Sequence, residues 1–449
     1  MPAMKIEIVV NPTATAHEFA DVELHVPGRA KPHVLDVGFS EILKRAPAVS
    51  SKAFDFFTIT AVVYGIDKAV SREDHADDDW TRDLNVTIPV SDAQCWRAIA
   101  PALSECVSFV TGDNWRIRFA ESQRTLVQKR VRRRRVRFIP LFGDAAALFS
   151  GGLDSFVGAI DWLTRNSKGK LLLVGHHDRA VKGPKADQLA LLGLLKRRFP
   201  MRVDSLQVRV GLKEKGDEIS FRSRSLLFLG LACYAAEKLG PGVPIIVPEN
   251  GAIALNPPLT ASRRGACSTR TAHPQFLRQV QAILDAVELD HRIENPYEFA
   301  TKGELLTRCE NASILREGYK LSVSCAKSGH TYHWKNRKAK SCGRCVPCLF
   351  RRAALHAVGL DDEVYGYDVV DASMSSDEIA SDLNAVLAFV RRRPDANEIA
   401  RILTANGPVP LDKQRDYVAV IERLIDELIS WLGGKAPRSI RELAGIKAN

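Results

Sequence analysis

The pattern of hydrophobic and polar positions divides this chain into three parts, with boundaries near residues 140 and 370. In residues 1–140, two-residue alternation predicts strands, and apolar spacing of three and four residues predicts buried helices. The predicted strands here are 5–10, 20–26, 84–90, 115–119 and 132–139, and the predicted helices are 55–70 and 93–103. This mixture predicts an α+β accessory module, in which we find no catalytic pattern of residues.

Residues 141–370 show a different pattern, in which short apolar runs alternate with amphipathic helical segments. The predicted strands are 145–149, 171–175, 205–210 and 243–247, and the predicted helices are 154–163, 188–198, 225–238, 274–286, 301–308 and 349–358. Regular alternation of this kind predicts an α/β domain with a parallel sheet and helices on both faces. Ligands of such sheets bind beyond the carboxyl ends of the strands, which places 150–155, 176–178 and 248–251 on one rim.

Residues 371–449 carry apolar residues at helical spacing in three segments, 377–393, 397–403 and 412–431. We therefore predict a helical C-terminal extension that packs on the central domain or forms an interface. The oligomeric state stays open, and a homodimer is one arrangement that such an interface would allow.

The composition is that of a globular protein. Hydrophobic residues make up 45% of the chain and charged residues 26%. The longest apolar run, 226–236, is too short to cross a bilayer, and the N-terminal residues lack the apolar segment of a secretory signal. We therefore expect a cytoplasmic protein without a membrane partner.

The net charge of +11 is concentrated locally, because the segment 129–137 holds seven basic residues. Such a run can contact nucleic acid or another polyanion. It can equally form a solvated strand or a linker, since it has no interleaved aromatic residues on which bases could stack. The sequence leaves both interpretations open.

The candidate chemistry centres on Ser-Gly-Gly-Leu-Asp-Ser, residues 150–155, between a predicted strand and a predicted helix. Glycine lets a backbone approach a ligand closely, and the first N–H groups of a helix have no internal partner and point toward an anion. Ser150 and Ser155 add hydroxyl groups, and Asp154 could hold Mg²⁺ or cap the helix. An ordinary glycine turn, with Asp154 as a helix cap, is the alternative interpretation.

These six residues resemble the PP-loop of the ATP pyrophosphatases, and they lack the longer spacing and the lysine of a Walker loop. The resemblance implies that the loop grips the β- and γ-phosphates of ATP while a carboxylate or amide oxygen attacks the α-phosphate. It implies adenylation with release of pyrophosphate, and not transfer of the γ-phosphoryl group.

Four of the nine cysteines fall close together at spacings typical of a metal site: Cys325, Cys342, Cys345 and Cys348. Their thiolates can fix Zn²⁺ tetrahedrally and fill its coordination sphere, which predicts a structural zinc site. Gly343 favours the tight turn between ligands, and a short strand, 321–323, is predicted just before Cys325. Two alternatives stay open, an Fe–S cluster and a ligand set in which His330 or His333 replaces one thiol.

The phosphate loop followed by Cys-x₁₆-Cys-Gly-x-Cys-x₂-Cys resembles the 7-cyano-7-deazaguanine synthases, the QueC family. Segments 220–232, 301–304 and 348–353 resemble that family's arginine-led buried helix, its Thr-Lys-x-Glu turn and its Cys-x₂-Arg ending. The resemblance covers roughly residues 144–366. It implies a zinc-containing PP-loop enzyme that uses ATP to adenylate 7-carboxy-7-deazaguanine. Ammonia then displaces AMP to give the amide, and a second adenylation dehydrates the amide to the nitrile.

Position in the family's pattern, or on the predicted rim, assigns roles to particular residues. The expected cofactors at the loop are ATP and Mg²⁺. The expected ATP-binding residues are Ser150, Gly151, Gly152, Leu153, Asp154, Ser155 and His176. The expected catalytic residues are Asp154, Lys302, Arg222 and Arg224. Lys302 and the two arginines would neutralise phosphate or carboxylate charge, with solvation at the surface as their alternative role.

The chain also departs from that family. It adds about 140 residues before the shared domain and about 80 after it, and residues 249–258 do not match the family's substrate loop. In these respects it resembles the enlarged QueC-like proteins of bacterial antiphage operons, of the Qat and type IV CBASS kinds. That resemblance implies an acceptor other than ammonia, such as the N-terminal amine of a partner protein from the same operon.

The leading hypothesis is therefore an ATP-dependent ligase of antiviral defence that joins a deazaguanine-type carboxylate to an amine. A housekeeping 7-cyano-7-deazaguanine synthase for queuosine-type nucleosides is one alternative. Others are a tRNA-modifying PP-loop enzyme that uses the basic run on RNA, and a non-catalytic binding scaffold.

Overall fold

A computed structural model of the chain describes most of its residues. The described stretches are 6–13, 21–45, 51–76, 80–122, 139–179, 183–218, 222–263, 270–328, 331–370 and 381–447. The basic run 129–137, most of the predicted strand 132–139, Cys267 and His330 lie outside the described residues.

The described strands join into one sheet that is mostly parallel. In chain order they are β1 (Ile6–Thr13), β2 (Asp21–His25), β3 (His33–Val37), β4 (Asp83–Val90), β5 (Asn114–Glu121), β6 (Ala145–Leu148), β7 (Leu171–His177), β8 (Val203–Leu212), β9 (Ile245–Ile246) and β10 (Ile293–Glu294). Their order across the sheet is β10-β9-β6-β7-β8-β3-β2-β1-β4-β5. The pairs β1–β2, β2–β3 and β3–β8 are antiparallel, and the other neighbouring pairs are parallel.

Helices connect these strands and form the C-terminal extension. They are α1 (Phe39–Leu43), α2 (Ser51–Ala69), α3 (Arg72–His75), α4 (Ala93–Thr111), α5 (Leu153–Arg165), α6 (Pro184–Arg198), α7 (Arg224–Leu239), α8 (Gly251–Leu255), α9 (Pro274–Ala286), α10 (Lys302–Thr307), α11 (Ala312–Gly318), α12 (Val346–Ala357), α13 (Ser381–Arg392), α14 (Ala396–Asn406), α15 (Gln414–Lys435) and α16 (Arg438–Leu443). Within the stretches that the structure describes, no helix has both the length and the apolar character that crossing a membrane requires.

The predicted α/β class with a mostly parallel sheet is confirmed, and two apolar layers account for it. One face of the sheet packs against α2, α4, α7 and α9, and the other packs against α5 and α6. Alternate residues of a strand enter opposite layers, so Leu172 joins the first layer and Leu171 and Leu173 join the second. Strands buried on both faces read as continuous apolar runs, which is why these strands could be predicted.

The N-terminal strands extend the same sheet. β3 pairs with β8, with Leu35 opposite Leu212, and this pairing joins β1–β5 to the central strands. α2 packs closely on α7 because position 230 is glycine, and a Cβ added there would overlap the Thr60 hydroxyl. The apolar core is therefore continuous across residue 140. Whether residues 1–140 form an independent module stays a prediction.

Several short elements were not predicted, among them β10, α1, α3, α8, α11 and α16, and two differences have a clear physical cause. β3 escapes prediction because its polar residues His33 and Asp36 are buried and find partners far away in sequence. His33 Nδ1 lies 2.8 Å from a carboxylate oxygen of Glu214, and Asp36 pairs with Arg209 at 2.8 Å. The predicted strand 321–323 is wrong, because the chain there forms a 3₁₀ turn, Tyr319–Leu321, and then runs to the loop after β6.

The C-terminal extension packs against α8 and α12 through its own apolar cluster. The indole of Trp431 in α15 is fully buried and donates a 3.0 Å hydrogen bond to Asp361. Glu427, also in α15, accepts hydrogen bonds from the Thr301 hydroxyl and from the backbone N–H of Gly303. α15 therefore supports the beginning of α10, the helix that carries Lys302.

Candidate active site and metal centre

The loop between β6 and α5 has the backbone of a tight anion-binding turn. Gly151 has φ +84°, in the left-handed region, and a Cβ added there would lie 3.2 Å from the backbone nitrogen of Gln188. Gly152 is the N-cap residue of α5 and has no side chain with which to cap the helix. The N-terminus of a 13-residue helix thus carries the partial positive charge of its dipole at this turn.

Two hydroxyl groups and one amide complete the turn. The Ser150 and Ser155 Oγ atoms lie 3.5 Å apart, and Ser155 Oγ donates to the Gly152 carbonyl at 3.0 Å. The Gln188 side-chain amide donates to the carbonyls of Ser150 and His176, at 3.3 and 3.1 Å. This amide ties the turn to the end of β7 and leaves Ser150 exposed to solvent.

Asp154, in the first turn of α5, is the centre of a buried polar cluster. Its Oδ2 accepts hydrogen bonds from the side-chain and backbone nitrogens of Asn250, at 2.6 and 3.3 Å. Its Oδ1 accepts a hydrogen bond from the buried ammonium group of Lys302. The residues come from three places, the first turn of α5, the chain after β9 and the first turn of α10. The structure therefore brings the predicted residues Asp154 and Lys302 into direct contact.

A second carboxyl group, Glu249, shares this cluster. Burial raises the pKa of Asp154, but the Lys302 charge and hydrogen bonds from Glu249, Lys302 and Asn250 outweigh burial and lower that pKa overall. Burial and the neighbouring Asp154 charge raise the pKa of Glu249 well above its usual value. The two carboxyl groups are therefore shifted in opposite directions, with the ionised form of Asp154 and the protonated form of Glu249 favoured. The sequence pattern predicts Glu249 on the rim but gives it no role, although its position three residues after β9 is a usable signal.

Arg222 lies against the N-terminal part of the chain. Its Nη1 donates to the Thr111 carbonyl at 2.8 Å, and its guanidinium lies 4.2 Å from the centre of the Trp80 ring. Burial lowers the pKa of Arg222 to about 10. These contacts give Arg222 a packing role between α4 and the segment before α7, and its predicted catalytic role stays a prediction.

Arg224 and His176 form a pair at the end of β7. Arg224 Nε donates to His176 Nδ1 at 3.4 Å, and His176 Nε2 donates to the Val210 carbonyl at 2.8 Å. Burial lowers the pKa of His176 well below its usual value, so the ring is neutral. The ring lies between Tyr64 and Phe228, whereas the backbone carbonyl of His176 faces Gln188 beside the turn. The predicted contact of His176 with ATP stays a prediction.

The four predicted cysteine ligands meet in one place: Cys325, Cys342, Cys345 and Cys348. Their sulfur atoms all lie within 4.8 Å of one another, and the Cys325–Cys345 and Cys342–Cys348 pairs are both 3.9 Å apart. Tetrahedral zinc with Zn–S bonds of about 2.3 Å requires sulfur separations of about 3.8 Å. The four thiols can therefore bind a metal ion such as zinc. His333 is exposed and packs on Tyr332, outside this group.

Local backbone structure presents these thiols to one point. The Cys342 N–H donates to the sulfur of Cys325, and the Cys345 N–H donates to the sulfur of Cys342, both at 3.3 Å. Gly343 has φ +82°, and a Cβ there would overlap the Tyr367 carbonyl. α12 begins directly after Cys345, so Cys348 projects from its first turn. Four sulfur ligands leave no open coordination position, which is typical of a structural site.

No protein-family model matches this chain, and a search of the curated proteins finds no relative.

A cavity of about 390 Å³ is lined by residues of α14 and the first residue of α15, away from the turn after β6. Among the described residues, the turn, the Asp154 cluster and the cysteine cluster are therefore the features that bear on function.

Proposed function

We propose that this protein is an ATP-dependent adenylating enzyme that joins a deazaguanine-type carboxylate to an amine. The observation that carries the proposal is the contact between the ionised Asp154 and the buried Lys302 at the N-terminus of α5, where the N-cap residue is glycine. A turn that needs glycine at position 151 lies directly beside it. Phosphate binding makes use of these features together, whereas an ordinary helix start does not need a buried lysine beside it.

In the proposed reaction, the β- and γ-phosphates of ATP bind at the turn, against the first N–H groups of α5 and the hydroxyls of Ser150 and Ser155. An oxygen of the substrate carboxylate attacks the α-phosphorus. The bond between that phosphorus and the bridging oxygen breaks, and pyrophosphate leaves with the electron pair. The positive charge of Lys302 stabilises the negative charge that develops on the leaving group.

The second step forms the new C–N bond. The amine nitrogen attacks the carbonyl carbon of the acyl adenylate, AMP leaves, and the nitrogen loses one proton to give an amide. Arg224 is our candidate for holding the substrate carboxylate through charge-assisted hydrogen bonds. Its Nε already donates a hydrogen bond to His176.

Asp154 and Glu249 are the residues that would hold Mg²⁺. Two carboxyl groups in direct contact need either a shared proton or a cation, and oxygen ligands of this kind suit Mg²⁺. The ion would neutralise phosphate charge during pyrophosphate release. Zinc at the four cysteines supports the fold, because a site with four sulfur ligands cannot also bind substrate.

For the acceptor we propose a protein amine, within a cytoplasmic bacterial antiphage system. This part of the proposal depends on the resemblance to the enlarged QueC-like proteins and on the residues added before 141 and after 370. A housekeeping synthase would use ammonia and continue to the nitrile.

The test is turnover with defined substrates. The purified protein, ATP, Mg²⁺ and 7-carboxy-7-deazaguanine should release AMP and pyrophosphate once an acceptor is present. Asp154→Asn should lower the rate at least 100-fold, roughly the loss of one strong charge interaction in the transition state. Asp290→Asn, an exposed substitution, is the matched control.

Three outcomes separate the alternatives. Full activity of Asp154→Asn, or no release of pyrophosphate with any acceptor, would contradict the adenylating enzyme. Turnover that ammonium alone supports, with a nitrile as product, would favour the housekeeping synthase. Mass spectrometry of a neighbouring operon protein, modified at its N-terminus by the mass of the deazaguanine acyl group, would support the protein acceptor.

A further inference from the structure

We infer that Ser324 is a third hydroxyl of the phosphate-binding turn and that the metal centre holds it there. The inference rests on the proposed binding of nucleotide phosphates at residues 150–155. It concerns the three residues before the first cysteine ligand, 322–324, which we call the linking segment.

The linking segment lies directly against the turn. The Val323 N–H donates a 3.0 Å hydrogen bond to the Gly151 carbonyl. The Leu153 N–H, at the start of α5, lies 3.5 Å from Ser324 Oγ. A Cβ added at Gly152 would lie 3.7 Å from the Val323 carbonyl and 4.0 Å from Ser324 Oγ. Ser324 thus stands beside the same helix N-terminus as Ser150 and Ser155.

Ser324 keeps a proton that it can donate. Its two hydrogen-bonded neighbours, the Leu153 N–H and the Arg351 guanidinium, are both donors, so Ser324 Oγ acts as the acceptor in both contacts. The hydroxyl proton is then directed away from these donors. A phosphate oxygen at the turn would accept this proton, in the way that it accepts backbone N–H groups.

The metal centre fixes the linking segment from one side. Ser324 directly precedes Cys325, whose sulfur accepts hydrogen bonds from the backbone of Lys327 and Cys342 and lies 3.9 Å from the Cys345 sulfur. A metal ion bound by that sulfur would therefore restrict Ser324 through a single peptide unit.

Arg351 fixes the linking segment from the other side. It lies in α12, one turn after Cys348, and its Nη1 donates to the hydroxyls of Ser322 and Ser324, at 2.9 and 3.4 Å. Glu363 orients this buried guanidinium through two hydrogen bonds of 2.7 Å. Both the first and the last cysteine ligand are thus connected to the residues that border the turn.

This arrangement couples metal binding to phosphate binding. A bound metal ion holds Cys325 and the start of α12 at a fixed separation, and the linking segment then holds Ser324 and the Gly151 carbonyl in place. Loss of the metal frees one end of the segment, so the donors at the turn lose part of their preorganisation. Ser324 would therefore bind phosphate directly, and its position would also depend on the metal centre.

The first experiment measures the binding of inorganic pyrophosphate and of ATP–Mg²⁺ by titration calorimetry, together with KM and kcat for ATP. Ser324→Ala should weaken pyrophosphate binding about tenfold and raise KM more than it lowers kcat, the effect of losing one hydrogen bond to a charged group. Ser324→Thr should restore binding because it keeps the hydroxyl. Ser328→Ala, in the same loop but beyond Cys325, is the control.

The second experiment removes the metal. Cys345→Ser should lose the metal ion, measured by elemental analysis, and should bind pyrophosphate more weakly than the wild-type chain. Cys95→Ser, a thiol outside the cluster, should keep both properties. Hydrogen exchange should accelerate at residues 150–155 in the metal-free protein.

The outcomes separate this inference from the proposed function. A wild-type chain that binds neither pyrophosphate nor ATP overturns both. A wild-type chain that binds pyrophosphate, with Ser324→Ala binding equally well, overturns only the role of Ser324. A Ser324→Ala variant that loses its metal ion or melts at a clearly lower temperature shows a structural role instead and also overturns the assignment. Unchanged pyrophosphate binding after metal removal overturns the coupling.

Discussion

The side-chain amide of Asn250 donates a 2.6 Å hydrogen bond to the carboxylate of Asp154. The two residues are 96 positions apart, and each lies shortly after a strand of the parallel sheet, Asn250 after β9 and Asp154 in the first turn of the helix after β6. β6 and β9 are neighbours in the sheet, so their following loops meet at one rim. The acid of the proposed phosphate site is therefore oriented by the adjacent strand.

Asn250 has two functions that substitutions can separate. Besides contacting Asp154, its Oδ1 accepts the Ile253 N–H at 3.1 Å and so caps α8. Asn250→Ala should cost about 2–3 kcal/mol of unfolding free energy, from the cap and the lost bond to a buried carboxylate. Asn311→Ala, which removes only the cap of α11, should cost about 1 kcal/mol. Urea unfolding at neutral pH measures both, and equal costs would contradict the contribution of the Asp154 contact.

Glu249 predicts a dependence of stability on pH. Its pKa is raised in the folded protein above the usual 4.5. The native state therefore binds this proton more tightly than the unfolded chain, and the resulting stabilisation is complete below pH 4.5 and lost as the pH rises through the folded pKa. Relative to Glu249→Gln, the wild-type chain should become less stable as the pH increases from 4.5 upward. Parallel pH profiles of unfolding free energy for the two proteins would contradict this.

Local features of the site could be predicted from sequence, and relationships between distant segments could not. The turn after β6 is a local strand–Gly-Gly–helix pattern, and the cysteine cluster follows from ligand spacing within 24 residues. The contacts of Asp154 with Asn250 and Lys302 depend on the order of strands in the sheet, which no local pattern encodes. The β3 strand could not be predicted for a related reason, since the partners that allow His33 to be buried, Glu214 and Asp217, come from the segment after β8.

Arg222 and Arg224 illustrate the same limit, because two arginines in one short segment have identical sequence signals but different surroundings. Arg222 binds the Thr111 carbonyl and packs on Trp80, whereas Arg224 contacts His176. Arg222→Gln should therefore lower the unfolding free energy by about 1–3 kcal/mol with a modest effect on turnover. Arg224→Gln should lower turnover at least tenfold with a smaller effect on stability.

Paired measurements of urea unfolding and AMP release test this distinction between the arginines. Arg224→Lys is a useful third variant, since it keeps the charge but loses the planar donor geometry, and partial recovery of turnover is expected. The opposite pattern, with Arg222→Gln inactive and fully stable, would assign the substrate carboxylate to Arg222.

The two glycines of the turn should respond differently to alanine. Gly151 has φ +84°, so Gly151→Ala should cost about 1–2 kcal/mol of unfolding free energy in addition to crowding Gln188. Gly152 has φ −82°, which any residue can adopt, and its added Cβ would crowd the movable Ser150 hydroxyl, at 3.2 Å, with the Val323 carbonyl at an ordinary contact distance of 3.7 Å. Gly152→Ala should therefore change stability by no more than about 0.5 kcal/mol.

Both variants should bind pyrophosphate more weakly, because a methyl group at either position keeps the anion away from the backbone N–H groups. Equal costs in stability would contradict the conformation of the turn, and normal pyrophosphate binding by both variants would contradict its role in holding phosphate.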